Sequence, residues 1–410
     1  MDPSVNYPGT FLQKAEGPLV PNIDVFVEVL RERGYCPKSA RNQILLMRDF
    51  SRWLEQKSIS LQDITLEHTA RYLQYRAHHR RPTKSDRSTL RRLLDVLRQR
   101  GVIADEPIVK LAPVERYVVE FTLYLRQERE LATSSIDSYM PFIRVFLSEH
   151  FGSELVQLGR LRPADVVGFV QRQAPRLHVK RAKLMSTALR SFLRYARYRG
   201  EISHDLANAV PTVPNWALAS IPRAIAPEHI RAILKHCDRH SAMGRREYAI
   251  LLLLARLGLR AGEIVALTLE DINWERGCIG VSGKRDQRCE LPLPMDVGEA
   301  IADYLQSGRP CSNSRSLFLR AQAPTCGFSA HTAVSSVVRR ALARAGIESD
   351  RKGAHQFRHA LATQMLRHGA SLSEIGELLR HRQPDTTRIY AKVDLAALRT
   401  LALPWPGGAA

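Results

Sequence analysis

The first half of this chain contains what looks like one helical stretch repeated. One copy begins with "VFVEVLRERGYCPKSARNQILLMRDFSRWL" at Val25, and the other begins with "VVEFTLYLRQERELATSSIDSYMPFIRVFL" at Val118. The offset between the copies stays between 96 and 99 residues, from Ser39/Ser135 to Arg100/Arg199. Helical bundles resemble one another by patterning alone, which is the alternative explanation, but a stable offset favours duplication. The periodicity predicts two domains of about four helices each, at residues 1–108 and 112–203.

A proline-rich stretch, "VPTVPNWALASIPRAIAPEH", follows the second copy. Its prolines exclude a long helix and predict a linker at residues 204–221. Residues 222–404 would then form a third domain, with a short tail at 405–410. In that domain "GCIGVSGKRDQRCELPLP" has the glycines and alternation of a β-hairpin, between stretches of helical pattern. The expected fold class is therefore mainly α, with a small β-sheet or hairpin in an α+β C-terminal domain.

The charge of the chain indicates a polyanionic partner. Lys and Arg number 61 against 41 acidic residues, which gives a net charge of +20. Residues 172–199 contain nine Lys or Arg and no acid, with Tyr195 and Tyr198 among them. A merely solvated face would usually mix signs, so we expect a helix with one buried face and one face that contacts double-stranded DNA. The predicted DNA-binding residues are Arg172, Lys180, Arg181, Lys183, Arg190, Arg194 and Arg197.

Several other classes of protein find no support in the sequence. No apolar run reaches membrane-spanning length, and the N-terminus lacks the pattern of a signal peptide, so we expect a cytoplasmic protein with no membrane partner. The six cysteines are scattered without a CxxC pair, which argues against a zinc site and a disulfide framework. "GCIGVSGKR" does not have the spacing of a phosphate-binding loop. We expect no cofactor and no metal.

The segment "HQFRHALATQML" places His355, Arg358 and His359 at helical spacings of three and four, so they would share a face. Such a face could hold a metal, an anion or nothing. The zinc-protease motif needs Glu after the first His, but Gln356 stands there, and Arg358 would repel a dication. We therefore predict an anion site.

Further polar residues interrupt apolar stretches of the third domain. They are Arg260, Lys284, His355, Arg358, His381 and Tyr390. Arginines bind phosphate oxygens and stabilise the charge of an in-line displacement. A tyrosine can attack phosphorus, while Lys and His move protons. Such a site could exchange one phosphodiester for another without metal or ATP. Lys352, Arg285 and Arg288 are nearby cations that could take the role of Lys284.

These residues and their spacing make the third domain similar to the tyrosine recombinases, the phage-integrase family. "LGLRAGEI" resembles the first arginine box, "HQFRHALAT" the His-x-x-Arg-His box, and "LLRHRQPDTTRIYAKV" the last box. Residues 112–203 resemble the family's core-binding domain. One departure is "IYAKV", where many members have His soon after the tyrosine, and the duplicated N-terminal domain is another.

The resemblance implies a site-specific recombinase or integrase, which would serve a mobile element. Tyr390 would form a 3′-phosphotyrosine, and Arg260 and Arg358 would hold the scissile phosphate. Lys284 would protonate the 5′ oxygen, His355 would assist proton transfer, and His381 would hydrogen-bond the phosphate. The implied assembly is a homo-tetramer on DNA or a mixed assembly with related recombinases. Two further functions stay open: a type-IB-like topoisomerase, and a DNA-binding accessory recombinase whose catalysis is dispensable.

Overall fold

The computed structural model describes residues 16–78, 83–105, 111–152, 154–214, 224–283, 288–349, 352–381 and 383–393. The chain divides into two compact units. One unit is residues 106–219, and the other combines residues 1–105 with residues 220–410. The predicted class, mainly α with a small sheet, is confirmed.

The first copy of the repeat forms a helical bundle. Within the described residues its helices are α1 (Ile23–Glu32), α2 (Pro37–Gln56), α3 (Leu66–Ala77) and α4 (Lys84–Gln99). α4 starts at a reciprocal cap: the Thr83 hydroxyl accepts from the Asp86 N–H at 3.2 Å, and the Asp86 carboxylate accepts from the Thr83 N–H at 3.1 Å. The aromatic rings of Phe26, Phe50 and Tyr72 are buried in the centre of the bundle.

The second copy has the same sequence of elements. Its helices are α5 (Pro113–Gln127), α6 (Thr133–Phe151), α7 (Pro163–Gln173) and α8 (Val179–Tyr198). The predicted apolar stripe of α8 comprises Leu184, Ala188, Phe192 and Ala196; the last three are buried and Leu184 is half-buried. The predicted linker contributes to this core as well, because Leu206 and Val210 are buried in it.

The last helices of the two copies bury equivalent positions. The buried pairs are Leu90/Leu189, Leu93/Phe192, Leu94/Leu193 and Leu97/Ala196, at a constant offset of 99 residues. Two copies of one bundle would keep the same helix positions buried, so this match favours duplication.

The third domain mixes helices with a small sheet. Its elements are α9 (Pro227–Lys235), α10 (Ala242–Leu257), α11 (Ala261–Ala266), β1 (Ile272–Asn273), β2 (Cys278–Ser282), β3 (Arg288–Pro292), α12 (Met295–Ser307), α13 (Thr332–Arg344), α14 (His355–Arg367), α15 (Leu372–Leu378) and α16 (Pro384–Thr387). A 3₁₀ helix at Arg388–Val393 follows α16.

The predicted hairpin is present as β2 and β3. These strands pair antiparallel, from Cys278 opposite Pro292 to Ser282 opposite Arg288. β1 adds a short antiparallel neighbour to β2, which the sequence pattern does not predict. The turn at residues 284–287 lies outside the described residues.

α10 forms the centre of the third domain, with Leu251 and Leu253 fully buried. It ends at Gly258, whose φ of +56° is a left-handed conformation that favours glycine. A Cβ at this position would lie 2.9 Å from Leu379 and 3.0 Å from Leu361. The close approach brings the end of α10 against α14 and the end of α15.

The first copy contacts the third domain within their common unit. The Thr325 N–H donates to the Arg33 carbonyl at 3.0 Å, directly after α1. Gly34, with φ +72°, has the Thr325 side chain where a Cβ would project.

Among the described helices, none has both the length and the apolar character needed to cross a membrane.

We expect Leu253→Ala to destabilise the third domain by about 2–5 kcal/mol, because it leaves a cavity beneath α10. Native-state hydrogen exchange of the α10 and α14 amides would measure this. Met243→Ala, on the same helix but at a side chain 46% exposed, should change the opening free energy by no more than about 0.5 kcal/mol. Equal effects of the two variants would contradict the central position of α10.

Candidate active site

The helix α14 carries the predicted anion-binding face. His355 is exposed at its first residue, Arg358 is buried, and His359 is half-buried. The rings of His355 and His359 meet edge to face, with centroids 4.3 Å apart. The predicted sharing of one helical side is therefore confirmed for the two histidines, while Arg358 turns into the protein.

Arg358 is the most deeply buried charged group of the site, with 1% of its surface exposed. One of its terminal nitrogens donates to the Gly258 carbonyl at 2.7 Å, and the other donates to the Leu379 carbonyl. No carboxylate pairs with it among the described residues. Burial, together with the charges of Arg260 and Arg380, lowers the pKa of Arg358 to about 9. The Glu263 carboxylate offsets part of this charge, and an anion bound here would offset it further.

Arg260 lies immediately before α11 and is held by Glu263. The Glu263 carboxylate accepts from the Arg260 backbone N–H at 2.8 Å and from its guanidinium at 2.6 Å. The same carboxylate accepts from Arg380 at 2.8 Å. Burial alone would raise the pKa of Glu263, but these hydrogen bonds and the two arginine charges lower it below the usual value. Glu263 thus fixes two cations beside Arg358.

Tyr390 lies on the 3₁₀ helix that follows α16, and 1% of its surface is exposed. A 3.0 Å hydrogen bond joins its phenolic oxygen to Nδ1 of His359. Burial raises the pKa of Tyr390 to about 12, although the charges of Arg358 and Arg260 oppose this effect. The phenol is therefore protonated at neutral pH in the absence of a ligand.

His381 follows α15 and lies parallel to the tyrosine. Its ring centroid is 6.4 Å from that of Tyr390, with 6° between the planes. Its Nδ1 is 2.8 Å from the hydroxyl of the buried Thr387. Burial, with the neighbouring charges of Arg358 and Arg260, lowers the pKa of His381 to about 4, so this ring is neutral at pH 7. Because Thr387 occupies Nδ1, Nε2 is the nitrogen left to face a ligand.

The structure thus brings together five predicted residues. The charges of Arg260 and Arg358 act on both His381 and Tyr390, and the ring of His359 links His355 to Tyr390. The predicted Lys284 and the neighbouring candidate Arg285 lie outside the described residues. Two more cations were candidates for the same role: Arg288 is engaged with Asp271 at 2.6 Å, and Lys352 is exposed ahead of α14.

Sequence reasoning missed two residues of this cluster, Glu263 and Thr387, and it did not predict the contact of a third, His359, with Tyr390. Glu263 stands three residues after Arg260, a capping spacing that could have indicated it. The spacing of His359 predicts only that it supports the site from α14, and no sequence signal shows that it reaches Tyr390. Thr387 has no such signal either, since its contact with His381 depends on the fold of α16.

The cationic helix α8 belongs to the other unit and is exposed on one side. Lys180, Lys183 and Arg194 are exposed there, with no side-chain partner among the described residues. The other predicted residues are engaged: Arg172 with Glu149 at 3.3 Å, Arg197 with Asp205 at 3.1 Å, Arg190 with the Val210 carbonyl at 2.8 Å, and Arg181 over the Phe142 ring.

The predicted grouping of the two tyrosines is only half right. Tyr198 is 72% exposed, whereas Tyr195 is 3% exposed and packs in the core against Phe121 and Tyr124. The two residues are three positions apart, and Tyr195 continues the buried stripe while Tyr198 lies at the last turn of the helix, beyond the core.

An α+β domain that gathers cations around a buried phenol has the chemistry for moving a phosphoryl group onto tyrosine. Comparison with known proteins agrees. The model described as "Phage integrase family" matches residues 223–396. The model described as "Phage integrase, N-terminal SAM-like domain" matches twice, at residues 23–101 and 118–200.

Similar proteins carry related names. "Putative integrase/recombinase y4rA" of Sinorhizobium fredii is 54% identical over 396 residues, which are 96% of each chain. "Tyrosine recombinase XerD" of Listeria monocytogenes is 28% identical over 288 residues, 69% of this chain and 95% of that protein. The crystal structure of XerH recombinase in a post-cleavage complex with difH substrate shares the fold, with a TM-score of 0.56 and 18% identity over 73% of this chain and 98% of that one. This chain belongs to the phage integrase family and is a tyrosine-type site-specific recombinase.

We expect Glu263→Gln to lower the free energy of unfolding at neutral pH by about 1–3 kcal/mol, because it removes the charge that holds Arg260 and Arg380. The depressed pKa of Glu263 means that its stabilisation is present above its unfolded pKa of about 4.3 and is lost as the pH falls through the lower folded value. Urea unfolding of both proteins at about pH 7 and about pH 3 should show the difference shrinking in acid. A difference independent of pH would contradict this role.

Proposed function

We propose that the chain breaks and rejoins DNA through a 3′-phosphotyrosine formed by Tyr390. The observation that carries this assignment is the buried Arg358, which forms no ion pair with a carboxylate among the described residues and lies within the electrostatic reach of Tyr390 and Arg260. A scissile phosphate would supply the missing negative charge next to the nucleophile.

The remaining roles are those that the family resemblance implies, and they agree with the chemistry of each group. Arg358 uses two terminal nitrogens for carbonyls, and its other N–H donors remain for phosphate oxygens. Arg260, 43% exposed in its side chain, reaches the phosphate from the solvent side. Neutral His381 donates from Nε2 to a non-bridging oxygen. Lys284 protonates the leaving 5′ oxygen, and His355 assists proton transfer at the exposed mouth of the site.

The reaction is a transesterification. The Tyr390 oxygen bonds to phosphorus as the bond to the 5′ oxygen breaks, and a 5′ hydroxyl of another strand later reverses the step. The guanidinium groups stabilise the charge that develops on the non-bridging oxygens. Because one ester replaces another, the exchange needs neither ATP nor a metal.

We propose that α8 contacts the DNA backbone. Lys180, Lys183 and Arg194 recur at spacings that place them along one side of the helix, and exposed cations of this kind bind phosphates without reading sequence. The exposed ring of Tyr198 extends this surface and suits packing on a sugar.

The duplicated domains, at 1–108 and 112–203, give the chain two bundles of core-binding type. The double match of one N-terminal model supports this assignment. The assembly would be a tetramer on two DNA duplexes, formed by this chain alone or with related recombinases. The reaction would move or integrate a mobile element in the cytoplasm.

Tyr390→Phe is expected to abolish covalent attachment to DNA while it leaves DNA binding intact. The DNA would be selected from a library of random duplexes by binding to the protein, and then rebuilt with a nick so that the cleaved strand diffuses away. Adducts that resist SDS would be counted on denaturing gels. Tyr248→Phe, which removes a hydroxyl from a ring beneath Arg239, is the matched control and should form adducts normally.

An adduct that persists in Tyr390→Phe would assign the nucleophile to another residue. Tight binding without any adduct from the wild-type protein would instead favour an accessory DNA-binding role.

Replacing Lys180, Lys183 or Arg194 with Ala should weaken binding to all DNA sequences alike. Each lost phosphate contact should reduce the slope of log affinity against log salt by about 1. Arg172→Ala, at a residue already paired with Glu149, is the control and should change the slope less. Fluorescence anisotropy at several salt concentrations measures this. Unchanged slopes in the three variants would place the DNA elsewhere.

A further inference from the structure

None of the roles above uses His359, although this residue touches the nucleophile. Its Nδ1 lies 3.0 Å from the phenolic oxygen of Tyr390, and the two rings meet nearly edge to face with centroids 5.6 Å apart. His359 stands in the first half of α14, between the buried Arg358 and the buried Ala360. The helix therefore fixes the position of the imidazole, whereas Tyr390 lies on a short 3₁₀ helix.

The other histidines near Tyr390 are placed for different tasks. His381 stacks parallel to the phenol ring, and its Nδ1 is bonded to Thr387. His355 lies at the exposed start of α14 with its ring against His359. His359 thus stands between the phenol on one side and the exposed imidazole of His355 on the other.

We propose that His359 is the general base that takes the proton of Tyr390 during DNA cleavage, in the reaction assigned above. In the neutral ring Nδ1 accepts the hydrogen bond, and Nε2 carries the hydrogen. As the Tyr390 oxygen bonds to phosphorus, its O–H bond breaks and the proton moves to Nδ1. The electron pair of the broken P–O bond goes to the 5′ oxygen, which is protonated by the general acid. On rejoining, the imidazolium returns its proton to the departing phenolate.

The surroundings of His359 couple this transfer to the presence of DNA. His355 from α14 meets the His359 ring, and the charges of Arg358 and Arg260 act on Tyr390, the partner of His359. Glu263 from the start of α11 and Arg380 and His381 from the end of α15 interact in turn with Arg358. Most of these charges are positive and oppose an imidazolium. The scissile phosphate adds negative charge to the cluster and lowers that cost, so the phenol stays protonated until DNA is bound.

The test is single-turnover cleavage of the selected, nicked duplex by His359→Ala and His359→Gln, from about pH 6 to about pH 9. Gln can keep a hydrogen bond to the phenol but cannot take its proton. We expect both variants to cleave about 10²-fold more slowly near neutral pH, with rates that rise steadily toward alkaline pH. The wild-type rate should level off above the pKa of the base, and added imidazole should rescue His359→Ala.

His368→Ala is the matched control, since His368 ends the same helix, is exposed, and its Nδ1 is bonded to the Gln364 carbonyl. Its rate and pH profile should equal those of the wild-type protein.

Three results would overturn the proposal. Wild-type rates in His359→Ala would show that another group takes the proton. Restoration by Gln with an unchanged pH profile would show that His359 only positions the phenol. An adduct retained by Tyr390→Phe would overturn the nucleophile and the base together, and so separates a failure of the proposed function from a failure of this inference alone.

Discussion

A buried guanidinium without a carboxylate partner in the described chain governs the organisation of this enzyme. Arg358 donates to the carbonyls of Gly258 and Leu379, so it joins the end of α10, the first half of α14 and the end of α15. The left-handed Gly258 permits that approach. Carbonyl dipoles stabilise the charge less than an anion would, and the nearby Arg260 and Arg380 add repulsion. The fold thus presents an excess of positive charge beside Tyr390, the proposed nucleophile.

Much of this arrangement follows from sequence spacing. The spacing of four between His355 and His359 predicts the side of α14 that they share, although Arg358 turns into the protein, and the apolar stripe of α8 predicts which face of that helix is buried. Turn residues and alternation predict the β2–β3 hairpin. These features depend on neighbours within one element, where the geometry of helix or strand is fixed. The resemblance of the three sequence boxes to those of the family then predicts that residues far apart in the chain belong to one site.

What the sequence did not predict depends on distances between elements. The hydrogen bond between His359 and Tyr390 requires the 3₁₀ helix to fold back on α14, and nothing local to either residue encodes it. The composition of the basic segment groups Tyr195 with Tyr198, but their positions on the helix bury the first and expose the second. Arg172, Arg190 and Arg197 are bonded to residues outside the basic segment. The sequence alone therefore does not show which of its cations are engaged within the protein and which are available to bind DNA.

The buried charge of Arg358 also links the proposed binding of a phosphate to the stability of the fold. A ligand that binds the folded state but not the unfolded chain stabilises the protein by mass action. If a DNA phosphate binds beside Arg358, as proposed, the third domain gains stability as it engages its target. Folding and target engagement would then be linked equilibria, in which the phosphate backbone of the substrate serves as a structural component of the enzyme.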